Sequence, residues 1–214
     1  MTCQHLYSIP TSMYLYIMKC LDTRERIVER MFTHIQRCGF QGLRADKVVA
    51  DMDITKGALY HYFPNKQAIG LAVIDEIIAP HYLAFYLELN RNNNSPIVQL
   101  QNHLNDLKAM ATSENINFGC PLNNLIQEMS PINENFRKHL KWVVDQMHRA
   151  TADALLQGKE NGFVLHSVDT DAVAHFFLAS LEGSYGMAKV HQNVEIFHAS
   201  IDTLILMLDK LRKN

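Results

Sequence analysis

The chain has 214 residues, 48% of them hydrophobic and 20% charged, with a formal net charge of −2. That length allows one large domain or two small ones with a real core, and the composition excludes a disordered, collagen-like or long coiled-coil protein. The charge is uneven. Residues 19–67 hold nine Lys/Arg against six Asp/Glu, whereas residues 68–214 hold eleven against sixteen. A phosphate-rich partner is therefore expected at the N-terminal third alone.

Residues 1–21 carry no positively charged start, and Pro10 interrupts them, so they lack the layout of a signal peptide. Two readings stand: a disordered arm, or a start codon placed too early, with Met18 as the true beginning. The four cysteines (Cys3, Cys20, Cys38 and Cys120) show no CxxC spacing, which suits a reducing cytoplasm better than a disulfide scaffold. No apolar run reads as long enough to span a bilayer, so no membrane partner is expected.

Almost everything reads as helix. Asp22 or Thr23 can cap a helix to about Cys38, with Ile27, Met31, Ile35 and Cys38 as its apolar stripe and Gly39 as a left-handed end. A short helix follows from about Arg44 to Met52, with Ala45, Val48, Val49 and Met52 inward. Asp53 stands at the turn. Thr55 then caps a third helix, Lys56 to about Tyr62, which Pro64 stops. Asn65 opens a long helix to about Leu89. Two short helices joined by a tight turn form a helix-turn-helix. Ile54, Leu59 and Tyr62 are expected to hold the second helix against the first, leaving Lys56, Gly57, Ala58 and His61 outward. Small residues would let the backbone sit deep in a major groove, and the donors would reach base edges and phosphates. Tyr60 and Tyr62 can also be read as plain core aromatics.

The stretch TRERIVERMFTHIQRCGF…DITKGALYHYFPNKQAIGLA, and above all KGALYHYFPNK, resembles the DNA-binding domain of the TetR family of bacterial repressors. The resemblance covers residues 23–72, about a quarter of the chain. It implies an all-α homodimer of about nine helices: a three-helix DNA-binding domain at 22–67 and a ligand-binding and dimerisation domain at 68–214. It also implies double-stranded operator DNA as partner and a small-molecule effector. By position, Tyr60 and Lys66 match phosphate contacts, and Lys56, Gly57, Ala58 and His61 match base-facing positions. Two departures stand out. Leu43-Arg44 replaces the usual Ser or Thr cap of the second helix, so Arg44 takes the place of a lost phosphate contact. Asp53 replaces the usual turn glycine, and Asp tolerates the left-handed conformation.

Beyond Arg91, a helix is expected over about 96–110, a loop over 112–119 and a short helix from Pro121. A long helix then ends at Gly162, and the last two helices begin at Asp169 or Asp171 and at Val194. Those last two are the expected dimer surface. Phe176, Ala179, Ser180, Gly183 and Gly186 on the first, with Ile201, Leu204 and Leu208 on the second, supply small and apolar contacts. Closure of the monomer core is the alternative. Tyr82, Phe85, Tyr86, Met110, Phe118, Cys120, Met129, Trp142, Met147, Phe177 and Tyr185 are candidate walls of an effector pocket. Singly, each also reads as ordinary packing.

Cys120 precedes a helix that starts at Pro121, where the partial positive charge of a helix N-terminus favours a thiolate. The segment resembles a branch of the family that holds flavonoid-responsive repressors and an N-ethylmaleimide-responsive one, in which a cysteine here senses electrophiles. An enzyme pairing Cys120 with a histidine is a further reading. However, no Gly-rich phosphate loop, HExxH or GxSxG motif is present, so neither catalysis, cofactor nor metal is expected. A nonspecific architectural DNA binder conflicts with the acidic C-terminal part.

Overall fold

The computed structural model describes residues 22–89, 91 and 94–213. The expected N-terminal arm lies outside them. The described residues are helical, with one isolated bridge between Val164 and Arg212. The helices are α1 (Thr23–Gly42), α2 (Ala45–Ala50), α3 (Lys56–Tyr62), α4 (Lys66–Leu89), α5 (Pro96–Met110), α6 (Ser113–Phe118), α7 (Pro121–Met129), α8 (Glu134–Glu160), α9 (Thr170–His191) and α10 (Val194–Asp209). The helix α6 fills a stretch read from the sequence as loop.

The chain divides into two compact units. One takes the described residues up to His81 together with Pro121–Lys141; the other takes Tyr82–Cys120 and Trp142–Asn214. The boundary expected at 67/68 falls instead inside α4, and α7 joins the N-terminal unit.

In the first unit, α1 packs on α2, α4 and α7, and α2 packs on α3. Ile27, Val28, Met31 and Ile35 fill the core face of α1, as the helical spacing requires, but Cys38 is exposed. Asp22 caps α1 in a capping box with Glu25. Gly39 does take a positive φ (72°), but the chain resumes a turn and ends at Gly42. The break frees two backbone N–H groups, which donate to Glu128 of α7: Phe40 N to Oε2 at 2.8 Å and Gln41 N to Oε1 at 2.7 Å. A side chain at Gly39 would press on that carboxylate, 3.0 Å away.

Helix α4 is apolar and long enough to cross a membrane by length and composition, which the sequence reading missed. Half of that apolar window is buried inside the protein, and Ile69, Val73, Ile74, Ile77 and Ile78 are core residues. Its middle, Ile74–Ile78, widens into a π-turn with Ala79 N bonded to Ile74 O. Pro80 follows directly. It has no N–H to give, and its ring would crowd the carbonyl four residues back, so the wider turn relieves a clash that a regular helix would suffer.

In the second unit, α9 packs on α10 and α6, and α10 packs on α5. Lys108 of α5 pairs with Asp202 of α10 at 2.5 Å. Asp169 and Asn193 cap α9 and α10, accepting from Ala172 N and Glu195 N.

Candidate nucleic-acid interface and a buried thiol cluster

The turn between α2 and α3 is built as its sequence demands. Asp53 adopts φ 57°, a left-handed position that an aspartate accepts. Thr55 Oγ1 accepts Ala58 N at 3.1 Å, and Asn65 Oδ1 accepts Ala68 N at 2.9 Å. Arg44 at the start of α2 makes no side-chain cap bond, so its guanidinium is not spent on the helix. Leu59 and Phe63 are buried and anchor α3. The anchoring role expected of Tyr62 falls to Phe63: Tyr62 is exposed, with its ring edge-on to His61 at 5.5 Å. Ile54 is half-buried.

What α3 leaves outward is Lys56, Gly57, Tyr60, His61 and Tyr62, with Ala58 half-buried. Lys56 Nζ sits over the Tyr60 ring at 5.9 Å. A Cβ added at Gly57 would meet only Thr55 Oγ1, at 3.8 Å. The fold therefore does not need glycine there, although an interior glycine costs the helix about 1 kcal/mol. Nothing in the packing of the first unit calls for a glycine at that position. Gly57→Leu should melt at the wild-type temperature or above, yet lose operator affinity by on the order of a hundredfold. Paired melting curves and DNA titrations check both halves.

Lys66 is half-buried. Its ammonium donates to Gln41 O at 2.9 Å and lies over the Phe40 ring at 4.9 Å. Burial lowers its pKa, opposed by Glu128 and assisted by Arg44. The lysine expected at a phosphate is thus turned onto its own unit. Lys47, exposed on α2, is a cation that the sequence reading did not single out.

The second unit holds a polar group in an apolar interior. Cys120 is 2% exposed, and its Sγ lies 3.0 Å from Tyr82 Oη. The carboxyl of Glu182, on α9, takes a hydrogen bond from Cys120; burial pushes it up to about 7, with that bond pulling the other way. Tyr86 Oη is buried with no hydrogen-bond partner, and burial, then Glu182 and Cys120, raise its pKa well above the usual phenol value. Three groups able to exchange protons, Tyr82, Tyr86 and Glu182, are thus gathered around one thiol. Glu182 was missed from the sequence, although it is the only charged residue between Asp171 and Lys189.

The other pocket candidates scatter. Met147 and Phe177 are buried; Phe118 and Tyr185 are half-buried, Tyr185 against Phe197 with ring centroids 4.5 Å apart. Phe85 stacks on His103 at 3.8 Å. Three do not fit. Met110 and Trp142 are 43% and 52% exposed, so they wall no interior cavity. Met129 belongs to the first unit.

On α9, Phe176, Ala179, Gly183 and Gly186 are exposed and Ser180 is half-buried, on one stripe with exposed Met187 and Val190. Side chains at Gly183 and Gly186 would point into open space. Ile201, Leu204 and Leu208, expected at a dimer surface, are buried in their own unit; α10 presents Thr203, Leu206 and Met207 instead.

Comparison with known proteins agrees with this architecture. The family described as "Tetracyclin repressor-like, C-terminal domain" matches residues 96–204, and "Bacterial regulatory proteins, tetR family" matches residues 34–73. The chain is 28% identical over 185 residues to the HTH-type transcriptional repressor NemR of Escherichia coli (strain K12), covering 81% of this chain and 87% of that one. It is 24% identical over 172 residues to the HTH-type transcriptional repressor DhaR of Mycobacterium sp. (strain GP1), covering 80% and 85%. In fold, it is similar to a TetR transcriptional regulator from Chloroflexus aurantiacus, with a TM-score of 0.77 at 21% identity over 89% of this chain and 96% of that one. The reduced form of E. coli NemR gives 0.76 at 20% identity over 90% and 98%. A family that matches more than half the chain, together with a helix-turn-helix whose second helix presents small and polar residues, shows that this chain belongs to the TetR family of DNA-binding transcriptional repressors, regulators and not enzymes.

Proposed function

We propose that the chain is a dimeric operator-binding repressor, acting in the cytoplasm, that a small-molecule effector releases from DNA. The observation that carries the reading is α3, with an outward face of Lys56, Gly57 and His61 and a glycine that the fold itself leaves unexplained. Lys56, Gly57, Ala58 and His61 would face base edges. Arg44, Thr55, Tyr60 and Lys66 would hold phosphates. For Lys66 this requires exchanging Gln41 O for a phosphate oxygen, a stronger partner for an ammonium.

Family members act as dimers. The exposed stripe of Phe176, Gly183, Met187 and Val190 on α9, with Leu206 and Met207 on α10, is the self-complementary surface we assign to that dimer. Val190→Glu with Leu206→Glu should give a monomer by sedimentation. A dimer of unchanged stability in the double variant would move the interface elsewhere.

The effector acts by binding the off-DNA state more tightly. Tyr82, Tyr86, Glu182 and Cys120 supply polar recognition in a largely apolar interior, which favours a small, mainly apolar compound with one polar end. A second reading rests on the thiol. An activated alkene would take the Cys120 sulfur at its β-carbon, forming an S–C bond. Glu182 would accept the thiol proton, which then passes to the α-carbon, so that the adduct gains one thiol and loses nothing. DNA-binding titrations with N-ethylmaleimide on wild type and Cys120→Ser separate the two. Release of wild type alone supports the covalent reading; release of neither leaves reversible ligands as the effector class.

A further inference from the structure

We propose that His148, Asp171 and His175 form a binding site for a divalent transition-metal ion on the second unit. The three residues come from two helices: His148 from α8, and Asp171 and His175 from the first turns of α9, four apart and so on one face. One ligand atom from each lies within 4.8 Å of the others. His148 Nε2 is 3.4 Å from Asp171 Oδ1, and His175 Nε2 is 3.9 Å from Asp171 Oδ2. Around a tetrahedral ion with bonds of about 2.1 Å, ligand atoms stand roughly 3.4 Å apart. The His148–Asp171 pair already has that spacing, and the two pairs that involve His175, within 4.8 Å, close by movement of that exposed side chain.

The two imidazoles also stack, with centroids 3.8 Å apart and planes at 30°. The stacking holds both rings beside the Asp171 carboxylate, so that three donors of the kinds transition metals take, two imidazole nitrogens and a carboxylate oxygen, face one point. The side chain of His148 is 17% exposed and is held in place; those of His175 and Asp171 are about 70% exposed, which leaves the ion an open path and room for water ligands. His148 Nε2 also lies 3.3 Å from Asp171 O, a long contact that the ion would replace. Two imidazole nitrogens and one carboxylate favour Zn²⁺, Ni²⁺, Co²⁺ or Cu²⁺ over Mg²⁺ and Ca²⁺. An ion here would tie the start of α9 to α8.

The test is calorimetry with Zn²⁺, and visible absorption with Co²⁺, on the full chain at neutral pH, for wild type, His148→Gln, Asp171→Asn and His175→Gln. The result expected is one Zn²⁺ per chain. Each variant should weaken it by more than about tenfold, and Mg²⁺ should not compete. Asp171→Asn and His175→Gln sit on the surface, so both should keep the wild-type fold, which circular dichroism verifies. Zn²⁺ affinity unchanged in those two variants would mean adventitious binding at other histidines and would overturn the site. Equal affinity for Mg²⁺ would overturn its assignment to transition metals.

Discussion

Gly70→Ala should destabilise the protein by about 2 kcal/mol or more, although the substitution improves helix propensity. Gly70 lies in α4, and a Cβ there would sit 2.4 Å from Phe136 Cζ and 2.5 Å from Phe40 Cε2. Both rings are buried and packed on each other at 4.6 Å. Neither can swing away as a flexible side chain would. The gain of about 1 kcal/mol from replacing a helical glycine is therefore smaller than the overpacking cost. Phe136→Leu should be damaging alone but should recover part of the stability lost in Gly70→Ala when the two are combined, because the shortened side chain removes one clash and leaves the Phe40 ring room to shift from the other; the two effects are then non-additive. Denaturant unfolding of the four proteins measures this. A single alanine variant more stable than wild type would show that the ring pair yields, and would refute the packing described for the first unit.

Glu182→Gln should stabilise the protein above neutral pH and leave it unchanged in mild acid. The carboxyl of Glu182 is raised by burial to about 7 from an ordinary 4.5. A carboxyl raised in the folded state keeps its proton while the unfolded chain has already lost it. Stability therefore falls as pH rises from about 4.5 to about 7, and the loss is complete above that. A shift of that size corresponds to roughly 3 kcal/mol. Glutamine cannot ionise, so it removes the penalty, and its amide oxygen can still accept from Cys120. Melting temperatures of the two proteins should converge near pH 4.5 and separate as pH rises through neutrality. Parallel curves across that window would mean that the carboxyl is solvated in the folded protein, and the cluster around Cys120 would lose its proton acceptor.

Local rules made much of the fold readable. Thr55, Asn65 and Asp169 cap the helices that their side chains announce, because a cap involves only neighbours in sequence. Helix α6 was hidden for a local reason too. Thr112 caps it with Asn115 in the position usually held by Glu or Gln, and the surrounding polar residues resemble loop. The faces of α10 were not readable: Ile201, Leu204, Leu206, Met207 and Leu208 are all apolar, and only packing on α5 and α9 decides which are core. Long-range capping was equally invisible. Nothing in the run before Glu128 says that it accepts N–H groups from Phe40 and Gln41. The helix-turn-helix was the clearest part of the sequence, because outward small and polar residues on α3 stand out against the fold's own needs. The proposed effector site was the least clear, because pocket walls and core share one vocabulary of Met and aromatics.

The account stands or falls on specific DNA recognition by α3. Duplexes should be selected from a random library by the wild-type dimer and then titrated by fluorescence anisotropy at rising salt, with wild type and Lys56→Ala. The account predicts an enriched inverted repeat, bound on the order of a thousandfold more tightly than scrambled DNA. The affinity should fall with salt, and Lys56→Ala should weaken binding to the repeat by at least about tenfold. Equal affinity for selected and scrambled duplexes, or full affinity in Lys56→Ala, would contradict it.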